Sequence, residues 1–163
     1  MAEPTIKWLT REDHALLEEF VYLAIWLPAG TPPLPREVIR TEPSLRHYWE
    51  DFGKVDDHAC HAVVEGQTVG MAWSRLLGGD HRGYGWVDDH TPEVGVSVVP
   101  ELRGLGIGTR LINELLTALD EAGHKQVSLS VAKENPAVRL YRRLGFTAVG
   151  ENDADFIMVK PLA

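Results

Sequence analysis

The chain has 163 residues, and 24 Asp and Glu against 16 Lys and Arg give it a formal net charge of −8. This length suits one domain and is short for two, so we expect a single domain over residues 1–163. The acidic balance argues against a general nucleic-acid binder, because attraction to phosphates needs a basic face. The apolar fraction of 44% and the charged fraction of 25% are typical of a globular chain with a core.

Cys60 is the one cysteine, so neither an intramolecular disulfide nor a multi-cysteine zinc site is expected. His58 and His61 flank it, but they lie on opposite faces of a strand, which leaves too few ligands for a metal. We expect no bound metal, and a lone strand cysteine is more typical of a core than of a nucleophile.

The chain start lacks a secretory pattern, and no apolar run approaches the roughly 20 residues of a membrane span. These features predict a cytoplasmic protein that does not bind membranes.

Seven segments alternate in hydropathy or are rich in β-branched and aromatic residues, which is typical of strands. In chain order they are Thr5–Leu9, Cys60–Glu65, Thr68–Leu77, Glu93–Val99, Gln126–Val131, Phe146–Val149 and Phe156–Lys160. The second and third are separated by Gly66-Gln67, which predicts a tight antiparallel hairpin. A polar turn around Asn152 and Asp153 predicts that the last two are also paired.

Helices are predicted between these strands from capping residues and from apolar residues spaced three or four apart. In chain order they are Thr10 to about Trp26, one or two short pieces within Arg36–Phe52 broken at Pro43, Ile107 to Gly123, and Asn135 to Gly145. Asn135 caps the last helix, and Pro136 follows it at the first helical position. The acidic, Gly-rich stretch Gly78–Pro92 is long enough to predict a functional loop that walls a binding site.

The segment Arg103–Gly108 joins a predicted strand to an amphipathic helix and carries three glycines. In such a loop the backbone N–H groups and the positive end of the helix converge on phosphate oxygens. The loop is not a P-loop, because Thr109-Arg110 follows Gly108 in place of the required lysine and hydroxyl residue. A dinucleotide site is disfavoured as well, since the third glycine and the acidic residue of that fingerprint are missing.

Val98–Gly108 and Asn135–Phe146 resemble two motifs of the GNAT superfamily of acyl-CoA-dependent N-acetyltransferases, the pyrophosphate-binding strand, loop and helix and the C-terminal helix motif. The order and separation of the two segments, and the succession of predicted elements, match that family over nearly the whole chain. The resemblance implies an α/β (α+β) fold of the GNAT type. Its central mixed, mostly antiparallel sheet would have about seven strands, splayed between the fourth and fifth, with about four flanking helices.

The resemblance also implies an enzyme that moves an acetyl group from acetyl-CoA, or a close acyl-CoA, directly to an amine within a ternary complex. The acceptor would be a small-molecule or peptide amine, and the family allows a homodimer. The implied cofactor-binding residues are Val96, Ser97, Val98, Arg103, Gly104, Leu105, Gly106, Ile107, Gly108, Thr109 and Asn135. Two alternatives stay open: a non-catalytic acyl-CoA-binding or regulatory domain, and an acyltransferase with another acyl donor or a hydroxyl acceptor.

Transfer to a lysine-like amine needs a proton acceptor, because deprotonating a group of pKa about 10.4 at pH 7 costs roughly 4–5 kcal/mol. By the resemblance, Glu93 is the candidate base, acting directly or through water, and Tyr141 is the acid that protonates the departing thiolate. The alternatives are a Glu93 that faces solvent or pairs with an arginine (Arg75 or Arg82), and a Tyr141 that only packs on the sheet.

Trp86, Asp88 and Asp89 in the Gly78–Pro92 loop are candidate substrate contacts. Arginines concentrate in the glycine loop and the last helix, whereas acidic residues gather on this loop. That distribution predicts a cationic amine as the acceptor.

Overall fold

Seven strands form one sheet in the computed structural model, which describes residues 2–163. The strands are β1 Thr5–Trp8, β2 His58–Val64, β3 Gln67–Arg75, β4 Glu93–Val98, β5 Gln126–Ala132, β6 Thr147–Glu151 and β7 Asp155–Pro161. The helices are α1 Leu16–Leu23, α2 Val38–Thr41, α3 Pro43–Arg46, α4 Ile107–Glu121 and α5 Ala137–Arg143. Each predicted strand is present within a few residues of its expected bounds. Among residues 2–163, no helix is both long and apolar enough to cross a bilayer.

The sheet order is β1-β2-β3-β4-β5-β7-β6, and all neighbours are antiparallel except β4 and β5. Those two strands are parallel and pair at one position, Glu93 with Ser128, where Ser128 N–H also donates to Pro92 O at 3.0 Å. Within residues 2–163 they make no further pairing, so they separate towards their carboxyl ends. The predicted splay between the fourth and fifth strands is confirmed.

The first helix is shorter than the sequence predicted. Thr10 starts a single 3-10 turn, in which its N–H and hydroxyl both donate to Asp13 Oδ2 at 2.9 and 3.0 Å. Helix α1 then ends at Leu23 instead of Trp26. The last i→i−4 bond runs from Ala24 N–H to Phe20 O, and Ile25 N–H already donates to Tyr22 O, three residues back, so the α-helical ladder ends before Pro28. In contrast, the predicted break at Pro43 is confirmed, because this proline begins α3.

The two faces of the sheet carry separate cores. The α4-side core includes Val94, Val98, Leu111, Leu115, Val127 and Leu129, and the α1-side core includes Leu17, Phe20, Met71 and Trp73. Strand β4 keeps a regular register with β3 from Glu93 to Val98, so its side chains alternate strictly. Ser97 Oγ donates to Phe20 O at 2.7 Å, which places Ser97 and Glu93 on the α1 side of the sheet.

Arg75, the last residue of β3, fixes the segment that follows α3 to the end of that strand. Its guanidinium donates to the carbonyls of His47 and Glu50 at 3.0 and 2.6 Å, and to both carboxylate oxygens of Asp57 at 3.1 Å. The Arg75 and Asp57 side chains are only 5% and 4% exposed. One buried cation therefore orders a stretch of backbone that has no regular secondary structure of its own.

Replacing Arg75 by alanine is expected to lower the free energy of unfolding by about 3–5 kcal/mol, because the Asp57 carboxylate and several carbonyls lose a buried partner. Urea unfolding measures the change. Arg36→Ala, which removes an arginine from an exposed pair with Glu19, is the control and should change stability little. Equal effects of the two substitutions would contradict the assignment of Arg75 as the anchor.

Candidate functional site

The glycine loop leaves a row of backbone N–H groups without partners. Gly104 and Gly106 have φ angles of +80° and +85°, a left-handed conformation that favours glycine. The N–H groups of residues 104–109 donate to no atom of residues 2–163, and the next one, Arg110 N–H, donates to Gly106 O at 3.1 Å. Part of the row is the N-terminus of α4, which has no side-chain cap. Aligned donors at the positive end of a helix suit an anion such as a phosphate.

The exposed edge of β4 continues this row. Val99 N–H donates to Val69 O of β3 at 2.9 Å. Because successive N–H groups of a strand point in opposite directions, those of Val96 and Val98 point away from β3. They face the splay, which is the gap between β4 and β5 beyond their single pairing at Glu93 and Ser128. By the same alternation the Ser97 N–H points towards β3, and its side chain points towards α1. The structure therefore brings Val96 and Val98 to the splay but not Ser97.

Arg103 and Asn135 both hold the backbone around the site. Arg103 Nε donates to Val98 O at 3.0 Å, and one of its terminal nitrogens lies 3.4 Å from Leu23 O. Asn135 Oδ1 accepts the N–H of Ala137 at 2.9 Å, the bond expected of a capping side chain, but regular α5 begins at Ala137, one residue after the predicted first position at Pro136. Contacts of either residue with a cofactor stay predictions.

Glu93 lies at the closed end of the splay and is only 5% exposed. One carboxylate oxygen, Oε1, accepts the Gly85 N–H, whereas Oε2 is buried without a hydrogen-bond partner among residues 2–163. Burial raises the pKa of Glu93 to about 7, although the neighbouring Tyr48 hydroxyl and the Gly85 N–H lower it. The carboxyl does not face solvent, and Arg75 is paired with Asp57 instead. A pKa near neutrality suits a proton acceptor.

The Gly83–Gly85 segment covers the Glu93 carboxyl. A Cβ on Gly85 would lie 2.6 Å from both Glu93 Oε1 and the backbone of Leu129 in β5, and one on Gly83 would lie 2.7 Å from the Tyr48 hydroxyl. Close approach, not a left-handed backbone, therefore requires glycine at both positions. The sequence predicted this loop as a wall of the site but gave no periodic or motif signal for Tyr48.

Tyr141 is largely buried in the α4-side core, with its ring edge-to-face against Phe146 at a centroid distance of 5.7 Å. Burial raises the pKa of its phenol to about 12, so the hydroxyl keeps its proton. That hydroxyl has no hydrogen-bond partner among residues 2–163. Tyr141 therefore does pack on the sheet, and it lies on the opposite face from Glu93. Its role as an acid remains a prediction.

The candidate substrate residues hold their own loop together. Trp86 Nε1 donates to Asp89 Oδ1 at 3.0 Å, and the Arg82 guanidinium stacks 3.7 Å from the centre of the Trp86 ring. Asp88 Oδ1 accepts the His90 N–H and the Thr91 hydroxyl at 2.9 and 2.8 Å, and these bonds lower the pKa of Asp88. Contact of these residues with a substrate stays a prediction.

Cys60 is fully buried in the α4-side core. Its Sγ lies 3.6 Å from Leu111 O, and burial raises the pKa of the thiol to about 12. Because the reactive form of cysteine is the thiolate, this residue does not act as a nucleophile in the described structure.

Comparison with known proteins agrees with this geometry. Residues 21–146 match the family described as acetyltransferase (GNAT) family, and the chain therefore belongs to that family. Phosphinothricin N-acetyltransferase of Streptomyces viridochromogenes is 33% identical over 115 residues, which cover 68% of this chain and 60% of that protein. Mycothiol acetyltransferase of Arthrobacter sp. is 38% identical over 87 residues, or 50% of this chain and 24% of that protein. The chain thus spans less than two thirds of the length of either relative.

Solved structures share the fold. The PaiA N-acetyltransferase from Thermoplasma acidophilum, in complex with coenzyme A, superposes with a TM-score of 0.70 at 20% identity, over 98% of this chain and 99% of that one. A phosphinothricin acetyltransferase from Sinorhizobium meliloti, in complex with acetyl-CoA, superposes with a TM-score of 0.64 at 20% identity, over 99% of this chain and 90% of that one. The family and fold that the sequence predicted are confirmed.

Replacing Glu93 by glutamine should stabilise the protein at neutral to alkaline pH. A folded-state pKa raised to about 7 means that the stability tied to the neutral carboxyl is fully present below the unfolded pKa of about 4.3 and is lost as pH rises through 7. Glutamine stays neutral, so Glu93→Gln should unfold with a free energy up to about 3 kcal/mol higher than wild type at pH 8, and with a much smaller difference at pH 5.

Urea unfolding at the two pH values measures this difference, and Glu101→Gln, at an exposed position, is the control. A Glu93→Gln effect of the same size at pH 5 and pH 8 would show that the carboxyl carries no raised pKa.

Proposed function

We propose that this protein transfers an acetyl group from acetyl-CoA to an amine. The observation that carries the proposal is the unpartnered row of N–H groups at residues 104–109, continuous with the Val96 and Val98 edge of β4. A pyrophosphate requires several converging donors, and an extended amide chain such as pantetheine can pair with a free strand edge. The coenzyme A and acetyl-CoA complexes of the structural neighbours support the same choice of donor.

The loop has room for such a group. A Cβ on Gly104 or Gly106 would meet nothing within 4 Å, and one on Gly108 would make only ordinary contacts with Val98 and Val96. When bound, acetyl-CoA supplies an acetyl group activated as a thioester. The N–H groups of residues 104–109 would bind its pyrophosphate, and Arg103, whose Nε donates to Val98 O, would add positive charge beside the β4 edge.

In the proposed reaction a C–N bond forms between the amine and the acetyl carbon as the C–S bond breaks. Glu93 accepts the proton that the amine loses, and Tyr141 donates its phenolic proton to the sulfur. Val98 N–H donates a hydrogen bond to the carbonyl oxygen, where negative charge develops. Because the Gly83–Gly85 segment covers Glu93, the proton reaches the carboxyl through water or after that segment moves. Direct transfer in a ternary complex is favoured, since Cys60 is buried and protonated.

The acceptor is proposed to be a cationic amine on a small molecule or peptide. The Arg36–Phe52 and Gly78–Pro92 segments meet beside Glu93 through the stacked rings of Tyr48 and Tyr84. The hydrogen bonds that lower the pKa of Asp88 keep this loop carboxylate charged, so it can attract a cation at longer range.

Release of the CoA thiol from acetyl-CoA by a panel of amines tests the proposed activity. The panel pairs cationic with neutral amines of similar size and includes phosphinothricin, the substrate in the name of one relative. We expect turnover with at least one amine, and faster turnover for cationic than for neutral amines. High salt should reduce that difference in rate. Saturable acetyl-CoA binding without thiol release would support the non-catalytic alternative, and preference for a longer acyl-CoA would support a different donor.

Tyr141→Phe should lower kcat by about 10²–10⁴-fold while leaving the Kd for acetyl-CoA unchanged, because phenylalanine keeps the packing against Phe146 but cannot donate a proton. Steady-state kinetics and calorimetric binding measure the two effects. Tyr22→Phe, which removes a hydroxyl bonded to Leu34 O at 2.6 Å, is the matched control. Unchanged turnover in Tyr141→Phe would remove this tyrosine from the mechanism.

A further inference from the structure

Tyr48 lies in the segment that follows α3, and its ring packs against the α1-side core. Its hydroxyl oxygen accepts the N–H of Tyr84 at 2.7 Å, and the two rings stack with an interplanar angle of 16°. Tyr84 is in turn tied to α3, since its hydroxyl lies 2.5 Å from Ser44 Oγ. These contacts hold the Tyr48 hydroxyl in one place from two sides.

The Tyr48 hydroxyl and the Glu93 carboxyl lie side by side, as a proton donor next to a carboxylate oxygen without a partner. A Cβ on Gly83 would lie 2.7 Å from the Tyr48 oxygen and 2.8 Å from Glu93 Oε1, so both groups flank the same point. Burial and the nearby carboxyl raise the pKa of Tyr48 well above its usual value, and the phenol therefore keeps a proton to donate. Glu93 Oε2 is the buried acceptor beside it that lacks a partner among residues 2–163.

We propose that Tyr48 is a positioning residue for Glu93: its hydroxyl, fixed by the Tyr84 N–H, donates to the Glu93 carboxylate and holds that group in place for proton transfer. This inference rests on the proposed function of Glu93 as the base. Gly85 N–H already donates to Oε1, and Tyr48 would supply the donor that Oε2 lacks. Donors to the ionised form favour it, so Tyr48 keeps a buried base usable near neutral pH.

Other ionisable groups around Glu93 are directed elsewhere. Arg75 is its neighbour on β3, but the guanidinium is bound to Asp57 and to the carbonyls of the segment that carries Tyr48. The Tyr84 hydroxyl points to Ser44, and Ser128, its neighbour on β5, is uncharged. Arg75 thus contributes indirectly, because it anchors the backbone from which Tyr48 reaches the carboxyl.

The test compares Tyr48→Phe with Tyr22→Phe, which loses a hydroxyl bonded to Leu34 O instead of one beside Glu93. In Tyr48→Phe the acidic limb of the kcat/KM pH profile should move up by about one pH unit, since a hydrogen bond to a charged group is lost. Activity should fall about fivefold at pH 7 and recover at pH 9, with KM for acetyl-CoA unchanged. The Tyr22→Phe profile should match wild type. A uniform loss at all pH values would indicate a merely structural role and overturn the proposal.

A carbon-13 titration of the Glu93 carboxyl separates this inference from the proposed function. Its midpoint should rise in Tyr48→Phe and stay unchanged in Tyr22→Phe, whatever the activity. If Glu93→Gln keeps the acidic limb of the kcat/KM pH profile, Glu93 is not the base and the proposed mechanism fails. The carbon-13 titration of proteins that retain Glu93 still reports the hydrogen bond from Tyr48. Should Tyr48→Phe not fold, the Tyr48 Cζ resonance of the wild type gives the answer. The chemical shift of Tyr48 Cζ should change with pH, with the same midpoint as the titration of the Glu93 carboxyl. A chemical shift that does not change with pH would overturn the proposal.

Discussion

The parallel strands β4 and β5 pair at a single position, Glu93 with Ser128, and most of the site depends on that fact. A fully paired β5 would take up the N–H groups of Val96 and Val98 and close the space in front of the glycine loop. Because the strands separate, this edge stays free and runs directly into the unpartnered N–H groups of residues 104–109. The separation of β4 and β5 is therefore both a property of the fold and the origin of the proposed acyl-CoA site.

The closed end of the space between β4 and β5 carries Glu93, whose ionised form is costly to bury. A carboxyl that is 5% exposed loses most of its hydration, which raises its pKa to about 7. The surrounding chain limits this cost through the Gly85 N–H and the Tyr48 hydroxyl, both on segments without regular structure. Arg75 orders one of these segments through buried bonds to its carbonyls. The neighbouring donors offset only part of the cost, since the pKa of Glu93 stays raised, as is common where a group must remain reactive.

The sequence predicted what local patterns encode. Hydropathy alternation located the strands, and the absence of a bulge in β4 kept Glu93 on the face that alternation assigns it. The glycine loop was predicted from its residues, and its unpartnered N–H groups agree with an anion site. The predicted length of α1 was wrong because the apolar spacing continues past Leu23, whereas the i→i−4 hydrogen bonds end there.

Side-chain meetings between distant segments were beyond sequence reasoning. Tyr48 reaches Glu93 only because Arg75 anchors an irregular segment and two glycines allow close approach, and no spacing rule links these residues. Ser97 was included with its neighbours Val96 and Val98, yet alternation along β4 turns its backbone and side chain away from the splay. Both cases depend on the direction in which a group points, which composition and motifs do not specify.

The central claim is that the N–H groups of residues 104–109 and the β4 edge form one acyl-CoA site. A nitrogen-15 NMR titration of the intact chain with coenzyme A tests it most directly. The amide signals of residues 104–109, Val96 and Val98 should shift together and saturate at one Kd, while those of the turn glycines Gly30 and Gly66 stay fixed. Saturable binding that leaves residues 104–109 unshifted, or no binding at all, would contradict the account.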